Sequence, residues 1–588
     1  MLRLILLLLV ILGSSQVLAQ IKHSEPPFSL TLSQALEWDK DSTLAEPRNV
    51  SQVPLAERID PATNPLTKGL DVNAKVLLAP DGMNNFGNYI SPQSQFNLYN
   101  FTNWAYIDSL NWFAGTADQT VNIPARPWVE AAHKNGVKVL GTVFLGIAQW
   151  GGSADTVERM LIQDKEGRFV LAHRLLSMAK YYGFDGWLIN QETDLQVVKD
   201  DKGQVVKGKV DKKRGRELAK KMQSFMRYLT KISPQEIEIH WYDSMLMDGR
   251  VRWQNTLNEK NLPMFQASPD SPATADAMFV NYWWNEEMLI QGAALAIKKG
   301  RSPYDIYFGA DLWPERRAQR AFSRYKWLEY IFPAGRQARS SLALFANNIN
   351  FNFAGTDQQA AYSQYKENPE DVLRFYQTEQ RLFAGNNLNI AVRDSNEWSG
   401  LGAHIAARSV VKALPFISYF NTGHGRIQMS KGKKIAGKDW HDMAEQDILP
   451  TWQFAQFNNG DKRVQVRYDF SDAYEGGSSL RVDVKAFTQN SVIVPLYKTA
   501  IRLPSNATIH SFAKLNNLPE NKISILLEFE GGETEQSFLR KQKASESGWH
   551  SNKLDLAKHA GKQVTRISIE IEASDNSGYF LLGGLHIE

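Results

Sequence analysis

The order of apolar and polar positions along this chain predicts two architectures, one after the other. From residue 76 onward, short and nearly continuous apolar runs alternate with longer amphipathic stretches. Such runs are typical of parallel strands buried on both faces, and amphipathic stretches are typical of covering helices. The predicted strands are 76–79, 104–108, 137–144, 184–190, 237–242, 278–283 and 306–311, and the predicted helices are 126–135, 169–182, 213–230 and 285–299. Six or more such units favour a (β/α)8 TIM barrel over a doubly wound sheet, which gives the same alternation.

The pattern changes after about residue 455, where apolar and polar residues alternate one by one between turns rich in Gly, Asn and Ser. A period of two is typical of strands with one buried face and one solvated face. The segments with this period are 463–470, 479–484, 491–494, 523–529 and 564–571. They predict an antiparallel β-sandwich of the galactose-binding-like type, so the whole chain is expected to be an α/β barrel followed by a sandwich.

The start of the chain predicts a signal peptide that is cleaved after Ala19. A short basic start precedes the apolar run from Leu4 to Leu12, and Val17-Leu18-Ala19 offers the small residues that a signal peptidase requires. This apolar run is far shorter than the about 20 residues of a membrane-spanning helix. We therefore expect a secreted or periplasmic protein that contacts no membrane after cleavage.

These patterns together divide the chain into five expected segments. They are a signal peptide (1–19), an N-terminal extension (20–70), a catalytic barrel (71–400), a connecting segment of strands and loops (401–455) and the sandwich (456–588).

Composition narrows the possible chemistry. Lys and Arg number 67 against 63 Asp and Glu, and a net charge of +4 over 588 residues gives no reason to expect a nucleic-acid partner. The absence of cysteine excludes thiol nucleophiles, zinc–cysteine clusters, iron–sulfur ligation and disulfides. Because no metal or phosphate-binding motif is present either, we expect no metal and no cofactor. The basic stretch Lys199–Arg216 is predicted to be a solvated hairpin or loop beside the cleft.

The most informative segment is the strand that runs from Phe184 to Glu192. Side chains two residues apart on a strand point the same way, so Asn190 and Glu192 share a face at the mouth of a barrel. One carboxyl group beside an amide differs from the two carboxylates of ordinary retaining glycosidases. If the substrate sugar carries a 2-acetamido group, its own carbonyl oxygen can attack, and the protein needs only an acid/base and a partner that holds the amide. Alternatively, Glu192 is a strand-end carboxylate that caps the next helix.

Several sequence blocks, which occur in the same order along the chain, resemble one known enzyme family. The segment Phe184–Glu192 resembles the catalytic strand of glycoside hydrolase family 85, the endo-β-N-acetylglucosaminidases, and the likeness covers residues 72 to 588. Further blocks similar to the family are Trp104–Asp108, Val139–Thr142, Trp241–Ser244, Phe279–Trp284, Tyr307–Asp311, Phe420–Gly425 and Asp447–Trp452.

The resemblance implies roles for individual residues. Glu192 stands at the family's acid/base position, Asn190 at that of the residue that promotes oxazoline formation, and Tyr242 at that of a tyrosine near the acetamido group. The remaining expected substrate-binding residues are Trp253 near the acceptor site, Trp150, Trp283, Trp284, and Asp243, which could instead orient Tyr242 or bind a backbone amide. Gln149 departs from the acidic residue that often precedes the family's equivalent of Trp150.

The function implied is cleavage of the β-1,4 bond in the N,N′-diacetylchitobiose core of N-linked glycans or glycoproteins. Configuration would be retained through an oxazoline intermediate, with transglycosylation as a side activity. Two alternatives are a chitinase-type substrate-assisted glycosidase, in which an Asp would stand in place of Asn190, and a non-catalytic glycan-binding protein.

Overall fold

The computed structural model of this chain describes residues 28–588 apart from 64, 201, 203, 267–272, 314–318, 320–321, 323–325, 353–363, 394–396, 457–462 and 542–546. The expected signal peptide, residues 1–19, lies outside the described residues. Among the described residues, every helix is too short or too polar to cross a bilayer.

Eight parallel strands form a closed barrel, which confirms the predicted TIM-barrel class. Each strand pairs with the next in chain order, and the eighth returns to pair with the first at Leu342 and Val76. In order, the barrel strands are Val76–Ala79, Ser109–Asn111, Lys138–Leu145, Gly186–Gln191, Glu238–Tyr242, Ala277–Val280, Ile306–Asp311 and Ser341–Phe345. Nearly every residue of these strands is buried, as their continuous apolar runs require.

Helices cover the outside of the barrel, and the four predicted ones, 126–135, 169–182, 213–230 and 285–299, are present with nearly the predicted bounds. The described helices of this part are Met83–Phe86, Arg126–Lys134, Ala154–Met160, Val170–Tyr182, Lys212–Ile232, Glu286–Lys298, Lys326–Ile331, Ile349–Asn352 and Val372–Ala384. Their apolar faces pack on the outward side chains of the strands in one large core, whereas a smaller cluster fills the barrel interior.

The second strand differs from the prediction. The apolar run 104–108 forms a 3-10 turn at Trp104–Tyr106, and the strand begins at Ser109. The Trp104 indole donates a 2.6 Å hydrogen bond to Gln446 in the connecting segment, and Asp108 accepts one of 2.8 Å from the backbone of Val76. The aromatic residues of this run therefore pack outside the barrel. The local apolar pattern does not distinguish such a buried turn from a strand.

The N-terminal segment packs on the barrel instead of standing apart from it. Ser29–Leu30 pairs with Val121–Asn122, which in turn pairs with the upper half of the third barrel strand. A short helix, Leu32–Glu37, follows, and the side chain of Trp38 is fully buried. The weak periodicity of this segment gave no sign of this packing.

The C-terminal part contains two antiparallel sheets around a separate apolar core, as predicted. The strands of one sheet are Phe416–Ser418, Val464–Asp469, Ser479–Val484, Thr508–Asn516, His550–Asp555 and Gly578–Ile587, and those of the other are Val492–Arg502, Ile523–Phe529, Thr534–Phe538 and Gln563–Ile571. Phe416–Ser418 lies within the expected connecting segment but pairs with the last strand. The five segment boundaries stay a prediction.

Candidate active site

A cleft of about 850 Å³ opens at the carboxyl ends of the barrel strands. This is the end at which the loops of a (β/α)8 barrel carry its working residues. The side chains that line it are mainly aromatic, amide and carboxyl groups: Asp81, Asn84, Phe113, Gln119, Phe144, Trp150, Asn190, Glu192, Tyr242, Trp253, Phe279, Asn281, Tyr282, Trp283, Asp311, Trp313 and Phe345.

Glu192 lies directly after the fourth barrel strand and lines this cleft. Its carboxyl group accepts a 2.9 Å hydrogen bond from Asn190 Nδ2 on one oxygen and a 3.1 Å bond from Trp253 Nε1 on the other. Burial raises the pKa of Glu192 above its ordinary value, and the two hydrogen bonds lower it in part. A carboxyl group with a raised pKa keeps its proton to higher pH, which is the property a general acid needs.

Asn190 is buried, at 2% exposure, and points into the cleft beside Glu192 as the period of the strand predicts. Because its Nδ2 donates to Glu192, its Oδ1 is the atom left to accept a hydrogen bond from a bound ligand. The pair thus combines one ionisable group with one fixed acceptor.

Tyr242 ends the fifth strand and belongs to a chain of amide hydrogen bonds. Its hydroxyl donates to Asn281 Oδ1 at 2.8 Å, and Asn281 Nδ2 donates to Asn255 Oδ1 at 2.9 Å. Burial above all, with the nearby Tyr282 and Glu192 groups, raises the pKa of Tyr242 well above its ordinary value. The phenol therefore stays protonated, and its single proton is committed to Asn281.

Asp243 lies behind the cleft wall, fully buried, and holds the loop that carries Trp253. One carboxylate oxygen accepts the backbone N–H groups of Gln254 and Asn255 at 2.9 and 2.8 Å, and the other accepts Asn261 Nδ2 at 2.9 Å. Burial raises its pKa to about 6 in spite of these bonds. Asp243 does not line the cleft, so its place is that of a positioning residue, one of the alternatives expected from the sequence.

Three of the four predicted tryptophans face the cleft. Trp150 and Trp283 are each 58% exposed and Trp253 is 40% exposed, as flat apolar surfaces open to a ligand. Trp284 points the other way, into the core, and donates a 2.7 Å hydrogen bond to the carbonyl of Gly309. The sequence did not distinguish the adjacent Trp283 and Trp284.

Gly309 also explains how the cleft floor is packed. A side chain there would lie 2.7 Å from the ring of Tyr282, which stacks on Phe345 with ring centroids 5.6 Å apart. Phe345 in turn meets Phe113 edge to face at 5.2 Å. Because glycine has no side chain, the rings of Tyr282, Phe345 and Phe113 can pack together at the base of the cleft.

Sequence reasoning missed Asp81 and Trp313 on the far side of the cleft. Trp313 donates its indole N–H to Asp81 at 3.1 Å and its backbone N–H to Asp311 at 3.1 Å. Asp81 follows the first barrel strand and Asp311 ends the seventh, each three strands from Glu192. Polar residues at strand ends were a signal for Asp311, but nothing local linked it to Trp313 and Asp81.

No group of three or more His, Asp or Glu side chains with the spacing of a metal site occurs within the described ranges. Glu192 is hydrogen-bonded to an amide beside it on its own strand, and the other cleft carboxyl groups stand across the barrel. This arrangement can donate and accept one proton at Glu192 while Asn190 orients an amide on the ligand.

Comparison with known proteins agrees with this geometry. The family model described as glycosyl hydrolase family 85 matches residues 83–427. A cytosolic endo-beta-N-acetylglucosaminidase of Danio rerio is 29% identical over 77% of this chain and 53% of its own length. The protein of the same name from Homo sapiens is 27% identical over 78% of this chain and 53% of its own. The chain thus spans about half the length of these curated relatives.

A solved structure has the same fold. The glycoside hydrolase domain of Endo-D from Streptococcus pneumoniae R6 superposes with a TM-score of 0.75 at 24% identity, covering 95% of this chain and 83% of that one. At 24% identity, this similarity supports the fold of the chain and nothing beyond it.

The relatives correct one expectation. Those from Danio rerio, Gallus gallus, Mus musculus and Homo sapiens are all named cytosolic, which contradicts the predicted secreted or periplasmic location. The prediction depended on a basic start, an apolar run and small residues before position 20, all of which lie outside the described residues. A chain without cysteine also folds as well in a reducing compartment as in an oxidising one.

Proposed function

Because this chain belongs to glycosyl hydrolase family 85, we propose that it is an endo-β-N-acetylglucosaminidase that cleaves the β-1,4 bond of the N,N′-diacetylchitobiose core of N-linked glycans. The observation that carries the proposal is the pairing of Glu192 with an amide, Asn190, in the wall of the cleft. A retaining glycosidase that supplies its own nucleophile needs a second carboxylate about 5 Å from the first. Asp81 and Asp311 stand three strands away from Glu192, across the barrel.

The nucleophile in this proposal is the substrate's own acetamido group. Its carbonyl oxygen attacks the anomeric carbon as the glycosidic bond breaks, and Glu192 gives its proton to the departing oxygen. Asn190 Oδ1 accepts the acetamido N–H and so stabilises the positive charge of the forming oxazolinium. Attachment of the nucleophile to the reacting sugar provides a high effective concentration.

The second step returns the enzyme to its starting state. Glu192, now a carboxylate, takes a proton from water as that water attacks the anomeric carbon and opens the oxazoline ring. Two attacks from opposite faces retain the configuration. A sugar hydroxyl held against Trp253 can replace water, and the product is then a transglycosylated glycan.

Mass spectrometry of a glycoprotein tests this proposal directly. A high-mannose and a core-trimmed N-glycoprotein are incubated with wild type, with Glu192→Gln and with Glu217→Gln, a matched change at an exposed glutamate on the helix Lys212–Ile232. We expect wild type and Glu217→Gln to leave one N-acetylglucosamine on each site. The Glu192→Gln rate should fall by roughly 10²- to 10⁴-fold, the usual contribution of a general acid. Cleavage of chitin oligomers alone would instead favour a chitinase-type enzyme.

A second experiment tests the role of Asn190. If Asn190 acts only in forming the oxazoline, Asn190→Ala should fail on the intact glycan but turn over a synthetic glycan oxazoline with a sugar acceptor. Failure on both substrates would contradict the substrate-assisted route, and equal activity on both would remove Asn190 from it.

A further inference from the structure

The basic segment Lys199–Arg216 holds the positive charge of the whole chain; it comprises most of a hairpin and the first turn of the helix Lys212–Ile232. Between Lys199 and Arg216 there are eight Lys and Arg against three Asp, a net of +5, whereas the entire chain sums to +4. The rest of the protein is therefore close to neutral. The positive charge is therefore concentrated on one surface, and a positively charged surface attracts negatively charged partners.

The hairpin is anchored at the rim of the cleft. Its strands, Val197–Lys199 and Val205–Val210, begin five residues after Glu192. Lys199 Nζ donates to the carbonyl of Gly151 at 3.3 Å, and Gly151 follows the exposed Trp150.

The base of the hairpin is tied to the neighbouring loop on the other side. Leu195 N donates to the carbonyl of Gly249 at 2.8 Å, and Gln196 Nε2 donates to that of Asp248 at 2.8 Å. The loop that holds these two acceptors continues to Trp253. The hairpin is thus bonded to both loops that carry the exposed tryptophans, Trp150 and Trp253.

Most cations of the basic segment Lys199–Arg216 have no ion-pair partner among the residues that the structure describes. Lys207, Lys209, Lys212 and Lys213 are exposed, and none of them makes an ion pair with any described residue. Arg214 differs, since it pairs with carboxylates of the neighbouring helix Ala154–Met160. Lysines without internal partners are available to an external one.

The hairpin also has the form that an extended polypeptide fits. It is a two-stranded ribbon, so its outer edges carry backbone groups free to pair with another strand. Two valines on it are unusually exposed, Val205 at 49% and Val210 at 53%. Apolar side chains beside lysines on a strand edge suit a peptide better than a small anion.

We propose that this hairpin docks an acidic, extended stretch of the substrate's polypeptide next to the glycosylated asparagine. The inference rests on the proposed function: Glu192 protonates the oxygen of the sugar that stays on the protein, so the polypeptide leaves on the Glu192 side of the cleft. Cleavage should then depend on the sequence around the glycan, with acidic flanks preferred.

The test compares glycopeptides with one N-glycan and acidic, neutral or basic flanks, together with the free glycan. The variant is Lys207→Gln/Lys209→Gln, and the control is Lys231→Gln/Lys298→Gln, which removes two exposed lysines at the opposite end of the barrel. We expect wild type to prefer the acidic glycopeptide over the basic one by about three- to tenfold in kcat/KM at low salt. The preference should vanish at 0.5 M salt and in the hairpin variant, and persist in the control.

Equal kcat/KM for acidic and basic glycopeptides in wild type, or an undiminished preference in the hairpin variant, would overturn the inference. These outcomes are separable from failure of the proposed function. The free glycan has no polypeptide, so its hydrolysis by wild type depends on the cleft alone, and a lack of hydrolysis there would contradict the endoglycosidase activity itself.

Discussion

Replacing Trp253 with Phe should move the pH dependence of catalysis in a direction that the structure determines. The indole N–H donates to Glu192 at 3.1 Å and stabilises the ionised carboxylate, which lowers its pKa. Phe keeps an aromatic surface for the sugar but removes this donor. The pKa of Glu192, already raised by burial, should therefore rise further.

The size of the shift follows from the exposure of the bond. A hydrogen bond to a charged group contributes about 1.5–3 kcal/mol when well shielded, equivalent to one to two pKa units. Trp253 is 40% exposed, so water can replace part of the lost bond. We expect a shift of roughly half a unit to one unit.

The assay is kcat/KM against pH on a fluorescent chitobiose-linked glycan. Glu192 must be protonated to cleave the bond, so activity falls as pH rises through its pKa, and a higher pKa carries this basic limb to higher pH. The matched control is Trp150→Phe, because Trp150 lies in the same cleft but the hydrogen bonds of Glu192 come from Asn190 and Trp253. A limb that stays in place or moves to lower pH in Trp253→Phe would refute the reasoning.

Three further predictions concern the groups around this pair. Burial raises the pKa of Asp243 from 3.8 to about 6. The folded protein therefore keeps this proton between pH 3.8 and about 6 where the unfolded chain loses it. The free energy of unfolding should fall as pH rises through this range, by about 3 kcal/mol in total. Urea unfolding at several pH values should show a weaker pH dependence of this free energy in Asp243→Asn. Asn255 has φ 58°, so thermal unfolding should find Asn255→Ala less stable than Asn255→Gly by roughly 1 kcal/mol. Trp284→Phe should cost about 1–3 kcal/mol of stability by stranding a buried acceptor, whereas Trp283→Phe should raise KM and leave the unfolding midpoint unchanged.

Much of the fold was accessible from local pattern. The apolar runs located six of the eight barrel strands approximately, because a strand buried on both faces must be apolar throughout. The run at 104–108 failed because its aromatic residues are buried outside the barrel, and burial alone does not separate a strand from a turn. The eighth strand, Ser341–Phe345, was not predicted.

The sequence by itself determined that Asn190 and Glu192 lie side by side in the cleft, because they are two residues apart and the period of a strand places them on one face. Only the tertiary structure decided the partners of Tyr242, since Asn281 comes from the next strand, 39 residues along the chain. It also decided which of Trp283 and Trp284 meets the cleft, and that Asp243 supports the site from behind. Such choices depend on how loops from different strands meet, and short-range periodicity carries no information about that meeting.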